Sequence, residues 1–460
     1  MAQKTDWNGK RVVILGGARQ GQAAARWLAR HGAIVTVNDR RSAAEMSAAR
    51  SALADISVNW VLGSHPVELL EKTDVLCISG GIPLDNPLVA AAAEYGIPLT
   101  NDTQIFMEVA PCQTIGITGS AGKTTTTSLV GQMAKKADGD KTFVGGNIGD
   151  PLLNYVDEMA PEALAILEIS SFQLEQMTVS PDVAAILNIT PNHLDRHGTM
   201  EAYTAAKRRI LEFQRADSIA ILNRDDAGSL NLVRNVNGRL ISFGAGAFSD
   251  KQDGTFLADD TLHLRQRGVE IPLLRRNQIQ LRGAHNLMNV LAAFAIGYAA
   301  GIPLEAMISA TEEFHGVDHR LEYVREWHGA QWYNDSIATA PERTLAAINS
   351  FTEPIVLLLG GRDKNLPWED LAGVVRQRVE HVVIFGEAAE KITSALDRAV
   401  GPLPLSVSRC KDLHEAVLAA AQVAKPGSIV LLSPGGTSFD QFYDFEERGK
   451  AFRKWVSELS

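Results

Sequence analysis

Thr114-Ile115-Gly116-Ile117-Thr118-Gly119-Ser120-Ala121-Gly122-Lys123-Thr124-Thr125 is a short apolar strand, a turn carrying two glycines, then a lysine and hydroxyls opening a helix. Glycines let successive backbone N–H groups converge on an anion, and the helix N-terminus adds partial positive charge. In such a cradle Lys123 reaches the outer phosphates of a nucleoside triphosphate and Thr124 sits on Mg²⁺. The competing reading is a strand-to-helix turn with an exposed lysine, which gives the Gly-Lys-Thr-Thr succession no purpose. The generic phosphate-loop pattern would place glycine at position 117, where this chain has Ile117; the loop is the tighter Thr-Gly-x-x-Gly-Lys-Thr form.

Around this stretch run 460 residues, 45% of them hydrophobic, too many for one ordinary core, which predicts roughly two to four domains. Met1 to Lys10 is polar, no apolar run approaches ~18 residues, and nothing resembles a signal peptide's head and cleavage site. A cytoplasmic protein without membrane insertion is expected. Cys77, Cys112 and Cys410 have neither metal spacing nor the density of a disulfide framework, which fits a reducing compartment. A net charge of −10 and the lack of a Lys/Arg stripe interleaved with aromatics exclude nucleic acid as a partner.

Arg11-Val12-Val13-Ile14-Leu15 is a buried-strand run. Gly16-Gly17-Ala18-Arg19-Gln20-Gly21, an Ala-rich helix and Ile34-Val35-Thr36-Val37-Asn38-Asp39 follow, a βαβ unit with an acid closing its second strand. Ala18 stands where a full dinucleotide fingerprint has glycine. Asp74-Val75-Leu76-Cys77-Ile78 then ends in Ser79-Gly80-Gly81, a turn that phosphates can approach closely. Both turns lie at the carboxyl ends of strands, the ligand edge of an open parallel sheet, so a small Rossmann-like domain is expected over residues 1–101. For either turn alone, glycines serving only a tight turn is the competing reading.

Beyond the phosphate loop, Val144-Gly145-Gly146-Asn147 forms another glycine corner, with an amide able to hold a polar substrate group. Leu164-Ala165-Ile166-Leu167-Glu168-Ile169-Ser170-Ser171 is a strand ending in one carboxylate and two hydroxyls, where a Mg²⁺ ligand would stand beside the loop. Ala184 to Ile189 runs into Thr190-Pro191-Asn192-His193-Leu194-Asp195-Arg196-His197-Gly198. His193 at a strand end can offer a neutral imidazole to a metal, against the commoner fate of a hydrogen-bonded loop histidine. With Glu168 and Lys123 on neighbouring strand ends, the metal reading is preferred; His197 reads as structural. On the helix from Met200, Lys207 reads by itself as a solvated side chain.

Thr-Gly-x-x-Gly-Lys-Thr, the strand ending Leu-Glu-Ile-Ser-Ser-Phe-Gln-Leu-Glu, the Asn-Ile-Thr-x-x-His-Leu-Asp-Arg-His-Gly run and Tyr203-x-x-Ala206-Lys207 together resemble the Mur ligase family of peptidoglycan synthesis, over essentially the whole chain. The resemblance implies ATP on Gly119, Ser120, Ala121, Gly122, Lys123, Thr124 and Thr125. It implies Thr124, Glu168 and His193 as magnesium ligands and a carbamylated Lys207, whose anionic oxygens would help a second Mg²⁺ bridge the γ-phosphate and the substrate carboxylate. Lys123, Glu168, His193 and Lys207 are then the catalytic set. The helix opened by Gly283-Ala284-His285-Asn286-Leu287-Met288-Asn289 reads on its own as a capped core helix; the resemblance adds Asn286 and Asn289 as adenine contacts. For a UDP-linked substrate it implies Gly17, Gln20, Gly21, Asp39, Arg40, Ser79, Gly80 and Gly81, joined by Asn147 and Ser170.

His315-Gly316-Val317-Asp318-His319-Arg320 looks like a hinge. After it the strands Gln331–Tyr333, Ile355–Leu359, Val382–Phe385 and Ser428–Leu432 alternate with helical stretches, predicting a second doubly wound α/β layer. The expected fold class is therefore α/β in three domains: Rossmann-like over 1–101, P-loop ATPase-like over 102–316 and Rossmann-like over 317–460. By resemblance Arg320 and Asp335 touch the nucleotide, while Thr339, Lys364, Ser438 and Phe445 line a glutamate pocket, where an ammonium donor suits a carboxylate. The family's Asn-Asp-Ser-Lys-Ala-Thr-Asn reads Asn334-Asp335-Ser336-Ile337-Ala338-Thr339-Ala340 here, and Asn192 stands where many relatives have aspartate.

The activity so implied is ATP-dependent ligation of glutamate to UDP-N-acetylmuramoyl-L-alanine through an acyl phosphate. D-glutamate is the expected enantiomer and L-glutamate the alternative. ATP, two Mg²⁺ ions, small-molecule substrates and a monomer complete the expectation. A folylpolyglutamate-type ligase should lack the glycine-turn first domain, and a diaminopimelate-adding ligase should carry an Asp-Asn-Pro-Arg loop. A nicotinamide-dependent oxidoreductase leaves the Gly-Lys-Thr loop unused, and a nucleotide-binding switch needs no carboxylate-binding third domain.

Overall fold

Three sheets form where short apolar runs alternate with amphipathic stretches, and the computed structural model describes them over residues 6–246, 252–401 and 405–460. The first contains β1 (Arg11–Leu15), β2 (Ile34–Asp39), β3 (Val58–Leu62), β4 (Val75–Ile78) and β5 (Leu99–Thr100), ordered β3-β2-β1-β4-β5 with every pairing parallel. Strand order reverses between β1 and β4, the point where open α/β sheets bind ligands. The two glycine turns meet there, Ser79 Oγ donating to the Gly16 carbonyl at 2.8 Å. The helix Arg19–Arg30 packs so closely behind this turn that a Cβ on Gly21 would collide with the Gly16 carbonyl, whereas Ala18 only precedes the helix.

The second sheet holds β6 (Gln113–Thr118), β7 (Thr142–Gly146), β8 (Leu164–Glu168), β9 (Val183–Ile186), β10 (Ile219–Asn223), β11 (Arg239–Phe243), β12 (Gly254–Ala258), β13 (Thr261–Gln266) and β14 (Val269–Arg275). Their order is β14-β13-β12-β11-β10-β9-β6-β8-β7. The phosphate-loop strand β6 lies between β8 and β9, parallel to both, so the loop, Glu168 and the segment leading to His193 leave the sheet at one edge. The strand expected over Ala184 to Ile189 stops at Ile186. The antiparallel ribbon β12-β13-β14 was not foreseen; its half-exposed strands carry a weak apolar alternation.

The third sheet holds β15 (Glu322–Trp327), β16 (Ala330–Asn334), β17 (Ile355–Gly360), β18 (Val379–Phe385), β19 (Ser406–Arg409) and β20 (Ile429–Gly435), ordered β15-β16-β20-β17-β18-β19. Only the edge strand β15 pairs antiparallel. The fully buried β17 and β20 begin as continuous apolar runs, residues 355–359 and 429–432, covered by helices on both faces, as parallel sheets require.

The chain divides into two compact units, Met1–Ile279 with Ala284–Phe314, and Gln280–Gly283 with His315–Ser460. The first two sheets share the first unit. At their junction the buried Asn101 caps the helix Asp102–Val109, accepting from Gln104 N at 2.7 Å, and donates to the Gln173 carbonyl at 2.9 Å. Gln173 in turn donates to Thr103 Oγ1 at 2.7 Å. Among the described residues no helix is long and apolar enough to cross a membrane. Cys77, Cys112 and Cys410 are all free thiols.

Candidate active site

Gly122 has φ +82°, and a side chain there would strike the Asn289 amide. Only a residue without Cβ lets the chain swing from β6 into the helix Lys123–Ala137 against this neighbour. Asn289 is buried and donates to Asn286 Oδ1 at 3.0 Å, so both asparagines of the helix Ala284–Ala299 belong to the loop's surroundings. On the other side the loop is pinned by the exit from β9. Ser120 Oγ donates to the Thr190 carbonyl and accepts from Thr190 N, both at 2.9 Å, and Ala121 N donates to Asn188 Oδ1 at 2.9 Å. Asn188 had no role in the sequence reading; its place directly after an apolar strand was the available signal.

Glu168, at the end of β8, is buried and held at both oxygens: Thr124 Oγ1 donates to Oε2 and Asn147 Nδ2 to Oε1, each at 2.8 Å. The Asn147 backbone N–H also donates to the Glu168 carbonyl at 2.8 Å. A hydroxyl and a carboxylate at the head of a phosphate loop are the oxygen donors that Mg²⁺ takes together with substrate phosphates, so the residues fit that ion. Among the described residues no three His, Cys, Asp or Glu side chains group as a metal cage. His193 precedes the one-turn helix Leu194–His197 at φ +53°, exposed, with its ring edge-on to Phe172 at 5.0 Å.

Lys207 corrects the solvated reading: it is 1% exposed, because Tyr203, Ala206, Lys207 and Ile210 form the buried face of the helix Met200–Glu212. That spacing is helical and was legible in the sequence. Its ammonium donates to the Gly119 carbonyl at 2.9 Å and Thr118 Oγ1 at 3.3 Å, and lies 4.8 Å from the Tyr203 ring centroid. Burial, then the charge of Lys123, push this lysine well below its usual range, while Glu168 pulls the other way. Lys123 Nζ donates to the same Gly119 carbonyl at 2.8 Å. His197 is packed and bonded, in line with its structural reading, its ring nitrogens lying 2.9 Å from Glu175 Oε1 and 3.0 Å from Ser171 Oγ.

At the switch point of the first sheet, Asp39 accepts from Gly17 N at 2.9 Å and is clasped by Arg41 through Nε at 3.0 Å and Nη2 at 2.7 Å. This guanidinium, more than the Gly17 amide, holds the carboxyl far below the usual range. Arg40, expected as a contact of the UDP-linked substrate, is exposed, and the clasp of Asp39 by Arg41 had no place in the sequence reading. Gln20 Oε1 accepts from Gly80 N at 3.4 Å, and Ser170 caps the short helix Ser171–Leu174.

In the second unit Asp335 is buried, accepting from Ser433 Oγ at 2.8 Å and Leu321 N at 3.2 Å. Burial raises its carboxyl to about 7, against the opposing charges of Arg320 and Arg343. Lys364 Nζ reaches Thr339 Oγ1 at 3.4 Å, bringing two of the expected glutamate residues together. Ser438 is buried, and the Phe445 carbonyl accepts from Ser336 Oγ at 2.8 Å. Arg448, unnoticed in the sequence, is fully buried and donates to Ser336 Oγ, the Ser336 carbonyl and the Gly436 carbonyl at 3.0, 2.8 and 3.1 Å. At the two departures, the Ile337 carbonyl accepts from Arg343 at 3.2 Å, and Ala340 precedes the helix Pro341–Ile348 without a side-chain cap.

Comparison with known proteins agrees with this architecture. Residues 10–101 match the family described as Mur ligase MurD-like, N-terminal domain; residues 117–297 match Mur ligase middle domain; and residues 319–436 match Mur ligase, glutamate ligase domain. A UDP-N-acetylmuramoylalanine--D-glutamate ligase of Symbiobacterium thermophilum is 39% identical over 453 residues, 98% of each chain. One of Acidobacterium capsulatum is 40% identical over 451 residues, 97% of this chain and 96% of that one. Among solved structures, a MurF from Acinetobacter baumannii has TM-score 0.57 at 17% identity, covering 97% of this chain and 93% of that one. The UDP-N-acetylmuramate-alanine ligase MurC of Thermotoga maritima has TM-score 0.55 at 17% identity, covering 98% of this chain and 100% of that one. These two share the fold, whereas the sequence relatives share the lineage: the chain belongs to the Mur ligase family.

Proposed function

We propose that this protein is an ATP-dependent ligase that joins D-glutamate to UDP-N-acetylmuramoyl-L-alanine in peptidoglycan precursor synthesis. Near-full-length similarity to ligases of that name supports the substrates. The observation that carries the chemistry is the corner at the edge of the second sheet, where Thr124 and Asn147 hold Glu168 beside Lys123 and the buried Lys207.

The loop amides and Lys123 bind the triphosphate, Lys123 turning from the Gly119 carbonyl to the outer phosphate. Thr124, Glu168 and His193 would hold magnesium, which would supply charge neutralisation at the transferring phosphoryl group, and the carbamate of Lys207 would hold a second ion. Burial favours the neutral form of Lys207, the form that carbamate formation with CO₂ requires. The alanyl carboxylate attacks the γ-phosphorus and ADP leaves; the glutamate amine then adds to the acyl phosphate, loses a proton, and phosphate departs. Gly17, Gln20, Gly21, Asp39 and the Ser79-Gly80-Gly81 turn serve the UDP moiety, with Arg41 fixing Asp39 and with Arg40, Asn147 and Ser170 retained as contacts. Thr339, Lys364, Ser438 and Phe445 serve glutamate; Asn286, Asn289, Arg320 and Asp335 serve the nucleotide.

Domain limits at 1–101, 102–316 and 317–460, a monomer and a cytoplasmic location complete the proposal, the last supported by three free thiols. The test is phosphate release from ATP with UDP-N-acetylmuramoyl-L-alanine, comparing D-glutamate, L-glutamate, lysine and diaminopimelate. Release with D-glutamate alone is expected. Release with L-glutamate alone would reassign the enantiomer, and release with neither glutamate would overturn the reading.

A further inference from the structure

The one-turn helix Leu194–His197 is gathered around the Phe172 ring. His193 meets it edge-on at 5.0 Å, His197 stacks on it at 5.3 Å and 9°, and the Arg196 guanidinium carbon lies 4.0 Å from its centroid. A single ring thus holds the three side chains as a unit. Arg196 also reaches past the ring, donating to the Ile82 carbonyl at 2.6 Å and the Gly80 carbonyl at 3.4 Å. Those carbonyls belong to the glycine turn after β4, at the switch point of the first sheet. In the opposite direction, His197 lies against Tyr203 at 5.1 Å, and the Tyr203 hydroxyl donates to Ser120 Oγ in the phosphate loop at 3.1 Å.

We infer that Arg196 is a positioning residue that links the UDP-substrate turn of the first sheet to the triphosphate loop of the second, so that filling either site favours filling the other. The linkage rests on the ligase reading above for the identity of the two ligands. Physically, a ligand drawn onto the backbone of Gly80 and Gly81 orients the carbonyls that Arg196 grips. Arg196 then sets the Phe172 ring and with it His193 and the His197–Tyr203–Ser120 chain. A planar guanidinium can lie over a ring while donating in its own plane; an ammonium cannot do both.

The experiment is calorimetric titration of the full chain with UDP-N-acetylmuramoyl-L-alanine, with and without a non-hydrolysable ATP analogue and Mg²⁺. Wild type should bind the UDP ligand about 5- to 150-fold tighter with the analogue present, and the reverse titration must return the same factor. Arg196→Met and Phe172→Leu should bring that factor to within about twofold of unity, while the affinity for the analogue alone stays within about threefold of wild type. Arg196→Lys should lose most of the linkage although it keeps the charge, and it decides the matter should the methionine variant melt below the assay temperature. Wild-type linkage surviving in these variants, or no linkage in wild type, would overturn the inference. A wild-type protein that binds no UDP ligand would instead overturn the ligase reading.

Discussion

Lys123 and Lys207 donate to one acceptor, the Gly119 carbonyl, at 2.8 and 2.9 Å. Burial, and after it the charge of Lys123 on the same oxygen, lowers the proton affinity of Lys207. The unfolded lysine keeps its proton to about 10.4. Below that value the unfolded state therefore binds more protons than the folded one, and this residue's contribution to stability rises with pH. In CO₂-free buffer Lys207→Met should melt at a higher temperature than wild type near neutrality, with the gap closing toward pH 10. Its ligation should be abolished and added bicarbonate should not restore it. A variant that melts lower would contradict the lowered proton affinity, and one that still ligates would remove Lys207 from the catalytic set.

Glu168→Gln preserves shape but replaces one of two accepting oxygens with a donor, so either Thr124 or Asn147 loses its acceptor. Turnover should fall by about 10²- to 10³-fold, the scale seen when one preorganised electrostatic contact is removed. The Mg²⁺ concentration for half-maximal rate should rise while the melting temperature moves little. An unchanged Mg²⁺ dependence would place the ion elsewhere.

Asp102 is buried in the first turn of the helix Asp102–Val109, and its Oδ1 has no hydrogen-bond partner among the described residues. Burial raises its carboxyl to about 7. Between an unfolded value of about 3.9 and that value the folded state holds the proton and the unfolded state does not, so its contribution to stability falls as pH rises through the window. Asp102→Asn should match wild type near pH 4 and exceed it in melting temperature at pH 8. Parallel melting curves across that range would contradict the assignment.

The edges of the sheets were legible because catalysis concentrates polar residues where apolar strands stop. The phosphate loop, Glu168 and the Ser79-Gly80-Gly81 turn each follow a strand whose apolar run marks it as buried. The ribbon β12-β13-β14 was less legible, since half-exposed strands need no continuous apolar run. Arg41 and Arg448 escaped because an ion pair across a turn and a guanidinium buried on carbonyls leave no periodic trace in sequence. The burial of Lys207 escaped although its stripe was present, because charge was weighed above spacing; its place in the catalytic set came from the resemblance alone.

Ala340, one of the two departures in the run over residues 334–340, bears on helix capping. It precedes the helix Pro341–Ile348 with extended backbone angles of −152° and 147°, and no side chain caps the helix. Asparagine there accepts from the first-turn amides, so Ala340→Asn should stabilise the protein by about 1 kcal/mol in chemical denaturation. An unchanged or lowered midpoint for the transition would show that the alanine serves something other than the cap.

The central claim is that the sugar-peptide carboxylate takes the γ-phosphoryl group before the amine attacks. It is tested most directly by labelling both oxygens of the alanyl carboxylate of UDP-N-acetylmuramoyl-L-alanine with ¹⁸O and analysing the products formed from ATP and D-glutamate by mass spectrometry. The account predicts one labelled oxygen in each phosphate released and the other in the new amide; phosphate free of label would contradict it.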